Sequence, residues 1–210
     1  MIDEIKSYFT GYECSRCHKY YSGDALQTVC RDEDCGRPLI ANYDLNAAQS
    51  SLSLETLKNR SDSMWRYGEV LLVDPSQAVT LGEGLTPLLR TDRLGAIAQG
   101  SSDTPFHLWV KDESSNPTGS FKARGLCMAI SVLNSLDASA AALPTAGNAG
   151  AAAAAYAARA GMDCHVAMPA DTPQTMMDEV KAYGAHLYTV DGLIGDAAKI
   201  IRKGAEEENW

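Results

Sequence analysis

From about residue 86 onward, short apolar runs alternate with longer segments whose apolar positions recur every three or four residues. The short runs are typical of buried strands and the longer segments of amphipathic helices. Strands that alternate with helices of this length predict an α/β fold with a parallel sheet flanked by helices. The predicted strands cover 86–89, 106–110, 140–143, 165–168 and 186–190, and the predicted helices follow residue 120 and cover 148–160, 172–183 and 194–208.

The first 43 residues carry two cysteine pairs instead of this pattern. Cys14 and Cys17 are separated by two residues, Cys30 and Cys35 by four, and twelve residues lie between the pairs. Two such turns can place four thiolates around one zinc ion, as in a zinc ribbon. The sequence therefore predicts a zinc-ribbon-like module over residues 1–43 with a structural Zn²⁺ that contributes to its folding. The alternative is a set of four unrelated or redox-active cysteines.

The composition narrows the possible partners. With 18 basic and 27 acidic side chains the net charge is −9, and no basic cluster suits nucleic acid, so we predict no nucleic-acid partner. The least charged stretch, 138–158, is interrupted by proline and glycine, which predicts no membrane span. We expect a cytoplasmic protein with reduced thiols, in which Cys127 and Cys164 are ordinary core residues.

A polar loop between residues 112 and 120 leads into the first of the later predicted helices. Ser120 is placed to cap that helix, and Lys122 falls in its first turn. A cation there opposes the helix macrodipole, a position that suits a lysine acting as a free amine or Schiff base. Taken alone, such a lysine is more often an exposed surface charge.

A second loop, 144–150, offers a hydroxyl, an amide and several backbone N–H groups at the start of an alanine-rich helix. Such a loop suits a carboxylate or an aromatic hydroxyl of a cofactor. The alternative is an ordinary helix cap. The glycine spacing of a dinucleotide-binding loop is absent. Both loops are predicted at the carboxyl ends of strands, where α/β proteins bind ligands.

Three segments together resemble one family. GEGLTPL at 82–88, KDE at 111–113 followed by NPTGSFK at 116–122, and TAGN at 145–148 are similar to motifs of threonine synthases. These are fold-type II pyridoxal-phosphate (PLP) enzymes of the tryptophan-synthase-β superfamily. A branch of them also carries a four-cysteine module, so the resemblance extends over nearly the whole chain. It implies conversion of O-phospho-L-homoserine and water to L-threonine and phosphate.

The resemblance also implies roles for the residues that carry PLP. Lys122 would form the Schiff base with PLP and then move protons as the free amine. Phe121 would shape the cofactor site, and Asn148 would hydrogen-bond the PLP 3′-hydroxyl. PLP itself would act as an electron sink.

The substrate side of the site follows from the same resemblance. Thr145, with the backbone of Ala146 and Gly147, would hold the α-carboxylate of the amino-acid substrate. Lys111 and Ser120 would lie near the substrate phosphate. The full-length family member is expected to be a homodimer.

One position departs from the family pattern. Threonine synthases commonly have an acidic residue directly after the Schiff-base lysine, whereas this chain has Ala123 followed by Arg124. The departure leaves PLP binding unchanged but keeps a second hypothesis open, a threonine or serine dehydratase or an ammonia lyase. A third hypothesis is a zinc-binding or regulatory domain without catalysis.

The family also predicts what this sequence lacks. Against it, residues 44–210 correspond to the first part of the catalytic domain. The glycine-rich loop for the PLP phosphate and the polar residue facing the pyridine nitrogen are not found. We therefore expect an N-terminal fragment that is inactive alone.

Overall fold

The computed structural model describes residues 5–101, 104, 106–208 and 210. Its strands are β1 (Phe9–Cys14), β2 (Tyr20–Tyr21), β3 (Leu39–Tyr43), β4 (Leu88–Arg90), β5 (Trp109–Lys111), β6 (Ala140–Pro144), β7 (Asp163–Pro169) and β8 (His186–Val190). Its α-helices are α1 (Leu45–Ser51), α2 (Leu54–Lys58), α3 (Asp92–Gln99), α4 (Lys122–Ser135), α5 (Asn148–Ala160), α6 (Gln174–Ala182) and α7 (Ile194–Glu207). No helix among these described residues combines the length and apolar character required to cross a bilayer.

Strands β6, β7 and β8 form a parallel sheet in that order. Val166 and Met168 of β7 are fully buried in the main core, while Ala167 between them packs with Ala197 and Ile201 of α7. Because alternate residues of a strand face opposite sides, helices cover both faces of this sheet. The predicted α/β fold with a parallel sheet flanked by helices is confirmed.

Helix α5 lies at the centre of this unit. Eight consecutive residues, from Gly150 to Ala157, are buried because the helix packs against α4, α6 and β7. Alanine side chains permit that close approach on every side and favour the helix. The helix ends at Gly161, whose φ of 69° lies in the left-handed region that glycine adopts without strain. The predicted helix over 148–160 is confirmed.

Two predicted strands do not join the parallel sheet. β4 and β5 overlap the predictions for 86–89 and 106–110, but they form a separate antiparallel pair in which Leu88 lies opposite Lys111. Helix α3, between them in sequence, was not predicted. The local pattern indicated strands correctly, but the pairing depends on backbone hydrogen bonds between distant segments, which hydrophobic spacing does not encode.

The N-terminal strands form an antiparallel sheet in the order β2-β1-β3. This sheet is tied to the following segment just before β1. The Ser7 N–H donates to Asp74 Oδ1 at 2.5 Å, the Ser7 hydroxyl donates to the Leu71 carbonyl at 2.5 Å, and the Tyr8 N–H donates to the Glu69 carbonyl at 3.1 Å. The cysteine-bearing sheet is therefore held against the rest of the chain by direct hydrogen bonds. The domain boundary after residue 43 stays a prediction.

Candidate functional site

Lys122 is the first residue of α4, as the sequence predicts. The chain reaches it through a 3-10 turn over Pro117–Gly119, in which Thr118 and Gly119 both adopt positive φ angles, of 58° and 64°. The lysine is half-buried, and its Nζ lies 4.5 Å from the ring centroid of exposed Phe121. Within the described part of the chain, no carboxylate forms an ion pair with this amine. Lys122 therefore presents an amine that is open to a reaction partner.

Ser120 does not cap α4, so that prediction is wrong. The residue before α4 is Phe121, whose backbone is already helical (φ −62°, ψ −14°), and no side chain accepts a hydrogen bond from the first turn. Ser120 Oγ is instead buried without a hydrogen-bond partner among the described residues, as is Thr118 Oγ1. Buried hydroxyl groups are usually hydrogen-bonded, because leaving them unpaired costs free energy. Two unpaired hydroxyls thus lie close in sequence to Lys122.

The position that departs from the family pattern is part of the core. Ala123 is completely buried and clusters with Cys127 and Ile130 of the same helix. Cys127 and Cys164 are both buried, which confirms that they are core residues. Burial raises the pKa of the Cys164 thiol to about 11, so this thiol stays protonated at neutral pH.

A carboxylate that sequence reasoning missed fixes the loop before Lys122. Arg124 donates from Nε to Glu113 Oε2 at 2.6 Å and from its second nitrogen to Oε1 at 2.9 Å. The same carboxylate accepts from the Thr86 hydroxyl at 2.6 Å and from the Asn116 amide at 2.8 Å. These hydrogen bonds, with that from Arg124 the strongest, lower the pKa of Glu113 to about 2. In the sequence, Arg124 stood out only because it follows Ala123, the residue that departs from the family pattern. Nothing in the sequence linked it to Glu113.

Further hydrogen bonds join the first two motif segments. The Gly84 N–H donates to Asn116 Oδ1 at 3.1 Å, and Lys111 Nζ donates to the Thr86 carbonyl. Lys111 itself lies exposed on β5. The segments 82–88 and 111–122 therefore form one connected structure around Glu113, and Lys111 is bound to that structure through the Thr86 backbone.

A fully buried carboxylate, that of Glu83, anchors the same region to the core. It is fully buried and accepts hydrogen bonds from Trp65 Nε1 at 2.5 Å and from the Tyr156 hydroxyl at 2.6 Å. The Leu81 N–H and the Thr80 hydroxyl each donate at 3.0 Å. Burial alone would raise the pKa of Glu83, but these donors hold it below its ordinary value. Since Tyr156 belongs to α5, Glu83 connects the first motif segment to the helix of the third.

The third segment forms the turn between β6 and α5. Thr145 is buried, its N–H donates to the Ala167 carbonyl at 2.9 Å, and its hydroxyl accepts the Gly147 N–H at 3.2 Å. Ala146 and Asn148 are exposed, and α5 begins at Asn148. The turn therefore presents the Asn148 amide at a helix N-terminus, where anionic groups are favoured.

The two predicted loops meet on one pair of helices. α4 and α5 pack against each other along much of their length, and the 3-10 turn Pro117–Gly119 also contacts α5. Lys122 and Asn148, the two residues expected to hold PLP, are the first residues of these helices. This arrangement can combine a reactive amine, an amide and free backbone N–H groups on a small polar ligand.

The four N-terminal cysteines converge on one point. Their sulfurs all lie within 4.8 Å of one another, with 3.5 Å between Cys14 and Cys35 and 3.6 Å between Cys17 and Cys30. Zinc binds four thiolates tetrahedrally at about 2.3 Å, which sets the sulfurs about 3.8 Å apart. The cluster therefore has the ligand type and spacing that zinc requires.

Backbone N–H groups donate hydrogen bonds to one of the four sulfurs. The Cys17 N–H donates to Cys14 Sγ at 3.5 Å and the Arg16 N–H at 3.4 Å. These bonds, with that from Cys17 the strongest, lower the pKa of the Cys14 thiol to about 6. The thiolate is the form that binds metals. The pKa of Cys30 is also lowered, mainly by the Tyr21 hydroxyl, whereas the pKa values of Cys17 and Cys35 are raised.

Comparison with known proteins identifies the family. The sequence pattern described as "Pyridoxal-phosphate dependent enzyme" matches residues 79–210, which include both loops and Lys122. The chain belongs to the pyridoxal-phosphate dependent enzymes. The resemblance expected from the three motif segments is thereby confirmed at the level of this family.

A threonine synthase of Methanocaldococcus jannaschii is similar to almost the entire chain. The two are 35% identical over 197 residues, which are 93% of this chain and 47% of that protein. The match is too long to be confined to the catalytic region, so it also includes residues of the cysteine module. The chain thus spans about half the length of the curated relative.

Solved structures of fold-type II enzymes resemble the chain as well. Diaminopropionate ammonia lyase from Escherichia coli, in complex with an aminoacrylate-PLP azomethine intermediate, has a TM-score of 0.55 at 25% identity. The likeness covers 63% of this chain and 37% of that one. A pyridoxal 5'-phosphate-dependent aspartate racemase has a TM-score of 0.51 at 28% identity, covering 60% and 38%. These neighbours catalyse different reactions, so the fold does not select one of them.

Proposed function

We propose that this sequence belongs to a threonine synthase, which converts O-phospho-L-homoserine and water to L-threonine and phosphate. The observation that carries the proposal is Lys122, a half-buried amine without a carboxylate partner at the start of α4, inside a region that matches the PLP-dependent family. The similarity of 93% of the chain to a threonine synthase supports this substrate over others.

The residues around Lys122 fit PLP. The amine is free to bond the aldehyde carbon, and Phe121 offers an exposed aromatic ring beside it. Ser120 Oγ and Thr118 Oγ1, buried without partners among the described residues, are polar atoms that an added ligand could satisfy. Asn148, exposed at the start of α5, has an amide that can hydrogen-bond the phenolic oxygen of the cofactor.

When bound, PLP supplies an electron sink for carbanions next to its imine nitrogen. The chain's own residues then position the substrate and move protons. Lys122 would hold the cofactor, and its Nζ is the group that would accept and return protons at the substrate carbons. Thr145, with the backbone of Ala146 and Gly147, would hold the α-carboxylate, and Lys111 and Ser120 would lie near the phosphate.

A covalent trapping experiment tests the lysine. The chain is incubated with PLP, reduced with borohydride, digested and examined by mass spectrometry. We expect the reduced adduct on Lys122 and its loss in Lys122→Ala. Lys181→Ala, which changes an exposed lysine at the end of α6, is the matched control and should keep the adduct. An adduct spread evenly over surface lysines would contradict the role of Lys122.

A product assay tests the reaction itself. The protein that carries this sequence is supplied with O-phospho-L-homoserine, and phosphate and threonine are measured together. Equal amounts of the two support the proposal. A second candidate, an ammonia lyase or dehydratase, is favoured by the structural likeness to diaminopropionate ammonia lyase. It predicts ammonia and a keto acid from diaminopropionate, threonine or serine, without phosphate release.

We further propose that Cys14, Cys17, Cys30 and Cys35 bind one structural Zn²⁺. Four thiolates complete the coordination of zinc, so the ion would stabilise the module and take no part in the reaction. Metal analysis should give one zinc per wild-type chain and a loss in Cys14→Ser. Cys164→Ala, which removes a buried thiol outside the cluster, should keep the metal. Equal zinc in all three proteins would contradict the site.

We also propose that the protein acts on an amino-acid substrate and that its full-length form is a homodimer. Sedimentation of the protein that carries this sequence, with and without PLP, measures its oligomeric state. A dimer at micromolar concentration supports the expectation, and a monomer under both conditions contradicts it.

A further inference from the structure

Tyr21, at the end of β2, reaches into the cysteine cluster. Its hydroxyl oxygen lies 3.1 Å from Cys30 Sγ. The same oxygen accepts the Arg31 N–H at 3.0 Å. A metal-bound Cys30 would be a thiolate with no proton to donate, whereas the tyrosine hydroxyl keeps its own. Towards a metal-bound Cys30, Tyr21 can therefore act only as the donor.

This contact differs from the other hydrogen bonds to the cluster. Cys14 Sγ accepts from the backbone N–H groups of Arg16 and Cys17. Among the described residues, Tyr21 supplies the only side-chain hydroxyl within hydrogen-bond distance of these sulfurs. Cys30 is also almost completely buried, at 2% exposure, so little water can replace the tyrosine.

The charge of the metal-bound site gives this contact its importance. Four thiolates around Zn²⁺ leave a net charge of about −2. That charge would lie in a chain that already carries −9. A hydrogen bond to a ligand sulfur withdraws part of the negative charge and fixes the direction of the ligand. Among the described residues, Cys30 is thus the ligand whose thiolate would receive a hydrogen bond from a side-chain hydroxyl.

We propose that Tyr21 is a positioning residue of the metal site, donating its O–H to the Cys30 thiolate. The inference rests on the proposed zinc site. It predicts that the hydroxyl, and not the aromatic ring, contributes to metal affinity. Removal of such outer partners typically weakens metal binding by about 10- to 100-fold.

The experiment compares Tyr21→Phe with the wild-type chain. Zinc affinity is measured by competition with a chromophoric chelator, and the sulfur-to-cobalt charge-transfer band is recorded after loading with Co²⁺. Tyr20→Phe is the matched control, because Tyr20 is the adjacent residue and its hydroxyl donates to the Thr10 carbonyl instead of a sulfur. We expect about 10- to 100-fold weaker zinc binding for Tyr21→Phe alone.

The charge-transfer band distinguishes the loss of a hydrogen bond from a change in packing as the cause of weaker zinc binding. Loss of a donor raises the energy of the sulfur electrons, so the band of Tyr21→Phe should shift to lower energy. A weaker affinity with an unshifted band would mean that only packing had changed, and would overturn the proposal. So would an affinity equal to that of the wild type. A wild-type chain that binds no metal would instead refute the zinc site itself.

Discussion

The guanidinium of Arg124 holds the carboxylate of Glu113 through two hydrogen bonds, of 2.6 and 2.9 Å. Glu113 lies before the loop that ends at Lys122, and Arg124 lies two residues after that lysine. The pair therefore closes the loop at both ends and fixes where α4 begins. Its forked geometry is one that arginine supplies and lysine does not.

Arg124→Lys tests the value of this fork. The substitution keeps the positive charge but cannot donate two parallel hydrogen bonds, so we expect the free energy of unfolding to fall by about 1–2 kcal/mol. Urea denaturation followed by circular dichroism measures it. Lys58→Gln, which breaks the exposed ion pair with Glu55, is the control and should cost less than about 0.5 kcal/mol. An equal fall in the free energy of unfolding for both variants would show that the paired hydrogen bonds between Arg124 and Glu113 add no stability.

The same pair predicts how stability depends on pH. The pKa of Glu113 is about 2 in the folded protein, with the hydrogen bond from Arg124 as the main cause, against about 4.3 in an unfolded chain. Because the folded pKa is the lower one, the stabilisation is complete above the unfolded value and is lost as the pH falls towards about 2. In Glu113→Gln we expect a flatter decline of the melting temperature between about pH 5 and 3. Parallel curves for variant and wild type would contradict the assignment.

Glu83→Gln should be more damaging than loss of any one of its partners. Each carboxylate oxygen accepts two hydrogen bonds in a fully buried position. A glutamine amide places an NH₂ group against two donors, so we expect a loss of about 2–4 kcal/mol. Tyr156→Phe removes one donor and should cost about 1–2 kcal/mol. The prediction is refuted if Glu83→Gln unfolds at the same urea concentration as Tyr156→Phe.

Two glycine-to-alanine substitutions should have opposite effects. A Cβ on Gly150 would lie 2.7 Å from Met168 Cε and 2.9 Å from Thr145 Cγ2, whereas a Cβ on Gly125 would meet nothing within 4 Å. Alanine favours a helix over glycine by about 1 kcal/mol, but overpacking costs about 1–3 kcal/mol. Gly125→Ala is therefore expected to stabilise the chain and Gly150→Ala to destabilise it. Thermal unfolding of the two variants checks the signs, and a stabilised Gly150→Ala would show that the contact relaxes freely.

Local patterns in the sequence determined the elements from β6 to α7. Helices and strands report their buried faces through periods of 3.6 and 2 residues, so alternation of the two predicted the parallel sheet directly. The end of α5 at Gly161 followed from the same local chemistry. The cysteine spacing determined that Cys14 could meet Cys17 and Cys30 could meet Cys35, because each pair is joined by a short turn.

Only the tertiary structure decided which distant polar groups meet. The pairing of Glu113 with Arg124, the four donors around Glu83 and the contact between Tyr21 and Cys30 join different segments. Hydrogen bonds between such segments depend on how the chain folds, and no repeating pattern in the sequence indicates them. The same reason explains the wrong prediction at Ser120. Serine often caps a helix, but the hydroxyl of Ser120 is buried and accepts no hydrogen bond from the first turn of α4. Sequence thus determined the elements, and packing decided which side chains surround Lys122.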